Sequence, residues 1–234
     1  MKQETRFELK YQLSVFEHQK IKCALAGFTS LDKYTMATPR KMYLVRSLYF
    51  DTFNYNAYVE KMTGENNRVK LRFRSYYKTK DSSPFVNVEL KTRRGLKITK
   101  YSAMVSTGEY DYFIKRRRWS DNKVGVLIDF ERLVHLKNLK PNLLVDYFRE
   151  AYVPKDKSDV RITFDHSMRF ARSSLLFAKS LFFRSSDNRI IMEIKTKGEG
   201  PRWLQDIAKR YSFKSIPNSK YATGIEQTQN ALFI

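Results

Sequence analysis

One cysteine, three histidines and six prolines in 234 residues exclude several kinds of protein at once. A lone Cys23 can build neither a disulfide framework nor a cysteine-based zinc site, and its apolar-periodic surroundings predict a buried thiol. His18 and His135 fall in helical stretches and His166 ends a strand; they show no metal-ligand spacing and read as ordinary structural histidines. No apolar run approaches the ~20 residues that span a bilayer, and Ser173 to Phe183 is interrupted by Lys179. The opening Met-Lys-Gln-Glu-Thr-Arg has no apolar signal core, so a soluble, cytoplasmic protein is expected. No Gly/Ser linker or shift in composition divides the chain, which predicts a single domain over 1–234.

Negative charge is also scarce. Against 45 Lys and Arg stand 24 Asp and Glu, a formal net charge of +21. A surplus of this size repels itself in a compact fold and attracts polyanions, whether nucleic acid, anionic membrane or free phosphate compounds. With 42% hydrophobic and 15% aromatic residues the chain can nevertheless bury a sizeable core.

The most informative stretch is Arg68-Val-Lys-Leu-Arg-Phe-Arg74. Arg68, Lys70, Arg72 and Arg74 alternate with Val69, Leu71 and Phe73, the period of a β-strand with one cationic and one apolar face. Like charges two residues apart on a strand lie about 7 Å apart and repel by on the order of 2 kcal/mol at an effective dielectric of about 20. Either that face is solvated or it lines a site for a polyanion.

The same alternation recurs along the chain. Arg6 to Tyr11 sets Arg6, Glu8 and Lys10 opposite Phe7, Leu9 and Tyr11; Phe85 to Lys91 sets Asn87, Glu89 and Lys91 opposite Val86, Val88 and Leu90. Asp159 to His166 and Arg189 to Lys195 follow suit, and Lys41–Thr52, Leu96–Val105 and Leu143–Tyr152 complete the predicted strands. Ser14 with Glu17 forms a capping box for a helix to about Gly27, with Val15, Ile21, Ala24, Leu25 and Phe28 as its buried stripe. Further helical stretches are Asn54–Lys61, Thr107–Trp119, Val124–Leu139 stopped by Pro141, Pro201 to about Phe213, and Thr223–Leu232 after a loop at Asn218–Tyr221.

Glu-x-Lys occurs three times on these strands, as Glu8/Lys10, Glu89/Lys91 and Glu193/Lys195. Strands that share a charged and an apolar face, with helices available to cover the latter, predict an α+β fold. Its core would be an antiparallel β-tunnel, a barrel with a charged interior and α-helices packed on the outside. Lysines and arginines lining such a tunnel would neutralise a triphosphate or longer phosphate chain, while a carboxylate held a divalent metal against its oxygens. A nucleic-acid surface is not expected: no RNP-like or zinc motif occurs, and the cations are interleaved with carboxylates.

Seven segments stand in order: Arg6-Phe-Glu-Leu-Lys-Tyr11, Ser47-Leu-Tyr-Phe-Asp51, Lys70-Leu-Arg-Phe-Arg74, Val88-Glu-Leu-Lys91, Val160-Arg-Ile-Thr-Phe-Asp165, Met192-Glu-Ile-Lys195 and Ser219-Lys-Tyr221. Together they resemble the VTC domain, the polyphosphate polymerase branch of the triphosphate tunnel metalloenzymes. The resemblance implies a phosphotransferase that adds the terminal phosphoryl group of ATP, or another nucleoside triphosphate, to a growing polyphosphate chain with Mn²⁺ or Mg²⁺. It implies phosphate-contacting, catalytic roles for Arg72, Arg74, Lys91, Arg149, Arg161 and Lys220. Lys10, Lys70, Lys100 and Ser219 would bind substrate phosphates, and Glu193 and Glu89 would serve the metal. Arg6 stands where the triphosphatase branch has the first glutamate of Glu-x-Glu-x-Lys, which favours the polymerase. A triphosphate or polyphosphate hydrolase in the same tunnel and a non-catalytic polyanion-binding module remain the alternatives.

Overall fold

The computed structural model describes residues 4–5, 7–95, 97–120, 125–184, 189–217 and 219–230. Arg6, Leu96, Val124, Asn218 and Leu232, on which some of the expectations above fall, lie outside the described residues.

The first half of the chain holds β1 (Glu4–Thr5), β2 (Phe7–Leu13), α1 (Val15–Leu25), β3 (Thr29–Leu31), α2 (Lys33–Met36), β4 (Tyr43–Asp51), α3 (Asn56–Met62), β5 (Asn67–Ser75), β6 (Val86–Arg94), β7 (Lys97–Val105) and α4 (Thr107–Arg116). The second half holds α5 (Gly125–Leu136), β8 (Lys140–Pro154), β9 (Val160–Arg172), β10 (Phe183–Arg184), β11 (Ile190–Thr196), α6 (Arg202–Arg210) and α7 (Lys220–Asn230). All described ladders are antiparallel and follow the path β1-β7-β6-β5-β4-β8-β9-β11-β2, with β3 on β8 and β10 on β9 outside it.

The sheet curls strongly but is not a closed barrel, which corrects that part of the expectation. No ladder joins β2 to β7 among the described residues. The strands at the two ends of the path, β1 and β2, are successive in the chain, and the β1 ladder is only two residue pairs long. The curl is deep enough for Lys91 of β6 to reach Glu8 of β2, 2.5 Å away.

Alternation decides which residues face which way. On the convex side, Leu71 and Phe73 of β5, Val86, Val88 and Leu90 of β6, and Leu48 and Phe50 of β4 are buried against Tyr110 and Phe113 of α4 and Leu127, Phe130 and Val134 of α5. Phe73 sits within 6.1 Å of five aromatic ring centroids, from Phe50 to Trp119. A second convex cluster joins Tyr11, Ile162, Phe164, Met192 and Ile194 to Ile21 and Leu25 of α1 and Leu204 and Ile207 of α6.

The concave side holds a third cluster: Val45, Tyr49, Leu143, Val145, Tyr147, Met168, Phe170 and Ile191 pack on Tyr221 and Ile225 of α7. This helix lies inside the curled sheet, so the expectation that all helices pack outside fails for α7. The approach is close at Gly224, where an added Cβ would come within 2.6 Å of Leu143 and of Phe170. A bulge makes this seat. Asp146 pairs with Arg169 and Phe148 with His166, so Ser167 and Met168 together oppose Tyr147, and Ser167 adopts a φ of 51°. Asp165 points inward before the bulge, and Met168 and Phe170 point inward after it.

Local readings differ in smaller ways. The Ser14/Glu17 capping box forms as expected, with Ser14 Oγ accepting from the Glu17 N–H and Glu17 from the Ser14 N–H. The buried stripe of α1 is His18, Ile21 and Leu25, however, leaving Val15 at 60% and Phe28 at 43% exposure. Cys23 lies two residues from both Ile21 and Leu25, about 200° around the helix, and is exposed rather than buried. Pro141 does not stop a helix; it lies in β8, which begins at Lys140. The stretch Ser219-Lys220-Tyr221 is the start of α7 rather than a loop. No helix among the described residues is long and apolar enough to cross a membrane.

Candidate functional site

The concave face encloses a cavity of ≈ 480 Å³. Its lining comes from β2, β4, β5, β6, β7, β8 and β11, the α3 end, and the segment entering α7. Twelve lysines and arginines line it against three glutamates, Glu8, Glu89 and Glu193. All three Glu-x-Lys pairs point into it, and so do Arg68, Lys70, Arg72 and Arg74 of β5. The cationic edge of the strand therefore faces an interior, and the apolar edge faces α4 and α5.

Each glutamate lies among several cations from different strands. Glu89 accepts from Arg72 Nε at 2.6 Å and Lys100 Nζ at 2.7 Å, with Arg74 at 3.9 Å. Glu193 has Lys220 at 2.7 Å, Arg149 at 3.3 Å, Lys10 at 3.5 Å and Lys195 at 3.9 Å. Glu8 has Lys91 at 2.5 Å, Lys10 at 3.8 Å and Lys195 at 4.0 Å. Burial alone would raise the Glu193 carboxyl, but Lys220, Lys10 and Arg149 outweigh it and hold this group well below the usual carboxylate range. Glu89 is held low in the same way, its burial outweighed by Arg72, Arg74 and Lys100.

Arg149, Lys220, Asp165 and Glu193 form a continuous buried network. Arg149 makes a two-pronged contact with Asp165, Nε to Oδ1 at 2.6 Å and NH2 to Oδ2 at 2.7 Å. Lys220, the first residue of α7, bridges Asp165 at 2.6 Å and Glu193 at 2.7 Å, and these carboxylates raise its amine against the effect of burial. Ser219 stands at the N-cap: its carbonyl accepts the Thr223 N–H at 2.9 Å and its hydroxyl the Ala222 N–H at 3.4 Å.

Lys70 lies on the other wall and has a different setting. Its ammonium donates to Ser219 Oγ at 3.1 Å and lies 5.4 Å from the Tyr221 ring centroid, and no carboxylate pairs with it among the described residues. Burial, with Lys10, Arg68 and Lys91 nearby, pushes its pKa down to about 7. Lys195, likewise desolvated, is lowered to about 8 because Glu193 and Glu8 only partly compensate.

Of the twelve residues expected at the site, eleven line this cavity: Lys10, Lys70, Arg72, Arg74, Glu89, Lys91, Lys100, Arg149, Glu193, Ser219 and Lys220. Arg161 does not. It pairs with Lys195 across β9 and β11, but its guanidinium turns to Asp32 Oδ2 at 2.6 Å and to the Tyr43 hydroxyl at 3.5 Å. Glu8 and Lys195 belong to the lining and were readable from their parity with Lys10 and Glu193. Tyr49 and Tyr147 were missed because an aromatic ring on a buried strand reads as core; the Tyr49 hydroxyl accepts from Arg72 NH1 at 2.8 Å.

The donor set facing the cavity contains carboxylate oxygens and no histidine or cysteine, which suits a hard divalent cation of the Mn²⁺ or Mg²⁺ kind. The Lys10 and Lys195 contacts to Glu193, at 3.5 and 3.9 Å, are the loosest around that carboxylate.

Comparison with known proteins agrees with this geometry. The VTC domain profile matches residues 5–229, and the chain belongs to the VTC domain family. No curated protein matches the sequence at a significant level. Among solved structures, a protein of Bacillus halodurans described as a candidate adenylate cyclase superposes with a TM-score of 0.57 at 15% identity, covering 94% of this chain and 96% of its own. A Pyrococcus horikoshii protein gives 0.49 at 12% identity over 94% and 98% of the two chains. A candidate adenylate cyclase of Vibrio parahaemolyticus gives 0.48 at 9% identity over 94% and 97%. At 15% identity the likeness to the Bacillus halodurans protein is one of fold alone.

Proposed function

We propose that the chain acts as one domain that transfers the terminal phosphoryl group of ATP to a growing polyphosphate chain, a metal-dependent polyphosphate polymerase. The observation that carries this reading is the interior surplus of charge, twelve cations against three carboxylates in one cavity of a VTC-family fold. Burying unmatched cations is unfavourable unless an anion completes the site. An extended phosphate chain, with about one negative charge per phosphate, is the partner that matches a surplus distributed along several strands.

Phosphoryl transfer asks the protein for position and charge stabilisation rather than for a nucleophile. Arg72 and Arg74, held by Glu89 and by Ser47 at 3.1 Å, present fixed guanidinium groups toward the phosphates. Arg149 and Lys220, braced by Asp165 and Glu193, do the same from the opposite wall. Lys10, Lys91 and Lys100 supply further charge, and Lys70 with Ser219 marks the path at the head of α7. Glu193, with Glu89 or Glu8, would hold a Mn²⁺ or Mg²⁺ ion, which when bound neutralises charge on the transferring phosphoryl group. In the overall reaction the bond from the γ-phosphorus to the β-bridging oxygen breaks, a terminal phosphate oxygen of the acceptor forms the new bond, and ADP leaves. Arg161, turned toward Asp32, would act at the edge of the site rather than on the transferring group.

The test is to incubate purified protein with ATP and Mn²⁺ or Mg²⁺ and resolve the products by gel electrophoresis. Chains longer than the starting triphosphate, lost in Glu193→Gln, are expected. Release of orthophosphate without chain growth would replace the polymerase by a hydrolase. Binding of polyphosphate with neither product would leave a non-catalytic module.

A further inference from the structure

On the convex side of the sheet, away from the cavity, two histidines and a glutamate meet. Arg149 faces inward, so Glu150 points outward, and His166 on β9 follows the inward-facing Asp165. His18 reaches them from the buried face of α1. His18 Nε2 lies 3.1 Å from Glu150 Oε2, and His166 Nε2 lies 3.3 Å from the same oxygen. All three atoms fall within 4.8 Å of one another.

Two imidazole nitrogens converging on one carboxylate oxygen can be read as two hydrogen bonds, or as three corners of a coordination polyhedron. Around zinc with N and O bonds of about 2.0 to 2.1 Å, the edge of a tetrahedron is about 3.3 to 3.4 Å. The separations of 3.1 and 3.3 Å are close to that edge. The surroundings fix the donors further. Lys22, one turn after His18, holds the other carboxylate oxygen at 2.8 Å and so presents Oε2 to the histidines. The His18 ring is clamped edge-on by Phe164 at 4.7 Å and meets the His166 ring at 5.0 Å. The buried hydroxyl of Tyr152 lies beside Glu150 and Lys22, a further polar group at the edge of the cluster. The Lys22 side chain, 38% exposed, carries its charge partly in water, which limits its repulsion of a cation.

We propose that His18, Glu150 and His166 bind one divalent cation of the zinc class, with water at the fourth position on the partly open His166 side. Two imidazoles and one carboxylate select zinc and its neighbours cobalt and nickel over manganese and magnesium, which the carboxylate oxygens of the cavity suit better. The ion ties α1 to β8 and β9 and lies on the opposite face of the sheet from the phosphate site, so it sets the position of α1 and takes no part in transfer.

The experiment uses the whole chain, stripped with chelator, dialysed, and titrated with Zn²⁺ by calorimetry while Tm is followed in parallel. Expected are one equivalent bound, a rise in Tm, and visible absorption typical of four-coordinate cobalt when Co²⁺ replaces Zn²⁺. His166→Gln, which keeps a donor for Glu150 and should melt like the parent without zinc, is expected to lose at least about tenfold in affinity together with the Tm rise. Glu193→Gln should bind zinc as the parent does. The proposal is overturned if the parent binds no zinc, if His166→Gln and His18→Gln bind it as tightly as the parent, or if only Glu193→Gln abolishes binding.

Discussion

The two walls of the cavity solve the problem of buried charge in opposite ways. On the β8, β9, β11 and α7 side, Arg149 and Lys220 meet Asp165 and Glu193 at 2.6 to 3.3 Å. On the β5 side Arg72 and Arg74 share Glu89, but Lys70 meets a hydroxyl and an aromatic ring, and Arg68 meets the backbone carbonyls of Glu60 and Lys61. The first wall is complete without ligand, so its geometry is fixed before substrate arrives. The second is short of negative charge at Lys70 and Arg68, so a phosphate chain gains most there. A site that must bind a long anion and release it benefits from both, one wall to define where the phosphates lie and one to reward their arrival.

Breaking the paired wall should produce the largest effect. Lys220→Met leaves Asp165 and Glu193 with one fewer counter-charge, and removing one partner from a buried pair costs about 3 to 5 kcal/mol. Urea unfolding should show a loss at or above the lower end of that range. Because both carboxyls are held low in the fold, the stability they contribute is fully present above their unfolded pKa values and is lost as pH falls through the folded ones. In Lys220→Met that acid limit should move to higher pH.

Arg72→Ala comes next. It removes a charge-assisted contact worth roughly 1.5 to 3 kcal/mol, which would weaken tripolyphosphate binding by about 10- to 150-fold in calorimetry. The affinity of the parent should fall steeply with added salt, as expected when many phosphate contacts are made.

The smallest change sharpens the contrast most, because its sign is opposite. Lys70→Met should leave the ligand-free protein equally stable or more stable, by less than about 1 kcal/mol since water reaches part of the side chain, while still weakening tripolyphosphate. With a folded pKa of about 7 against an ordinary 10.5, Lys70 binds fewer protons folded than unfolded between those values. It therefore makes stability rise with pH across that window. Bound phosphate restores the charge, so binding at pH 8 should take up protons, seen as a buffer-dependent heat that shrinks in Lys70→Met.

Strand parity made most of the site legible in advance. A residue two positions from Arg72, Glu89 or Glu8 on a regular strand shares its face, so Arg74, Lys91 and Lys10 followed from the alternation and from the family motifs. Parity fails where the strand is irregular. The extra residue at Ser167 and Met168 reverses the face of β9 and creates the seat for α7, and nothing in the period of the sequence marks it. The α7 boundary was misplaced because Ser219, an ordinary cap residue, followed Pro217 in what read as loop. Arg161 has the right parity and a different partner, since Asp32 just ahead of the four-residue α2 was not foreseen as a carboxylate in reach. His18, Glu150 and His166 are brought together by the β8–β9 register and the docking of α1, and a separation of 132 residues hides that from any local pattern.

Glu4–Thr5 and Phe7–Leu13 supply both outer strands of the sheet: the first pair lies on β7 and the second stretch on β11. During synthesis these residues leave the ribosome well before residues 190–196, on which their main ladder waits, and Lys220 arrives later still. β2 must wait for its ladder until β11 has been made, while β5, β6 and β7 can already associate through neighbouring hairpins. The cationic cavity is thus completed by a seam of high contact order, and a chain made only as far as β7 can carry the positive charge without being able to enclose anything with it.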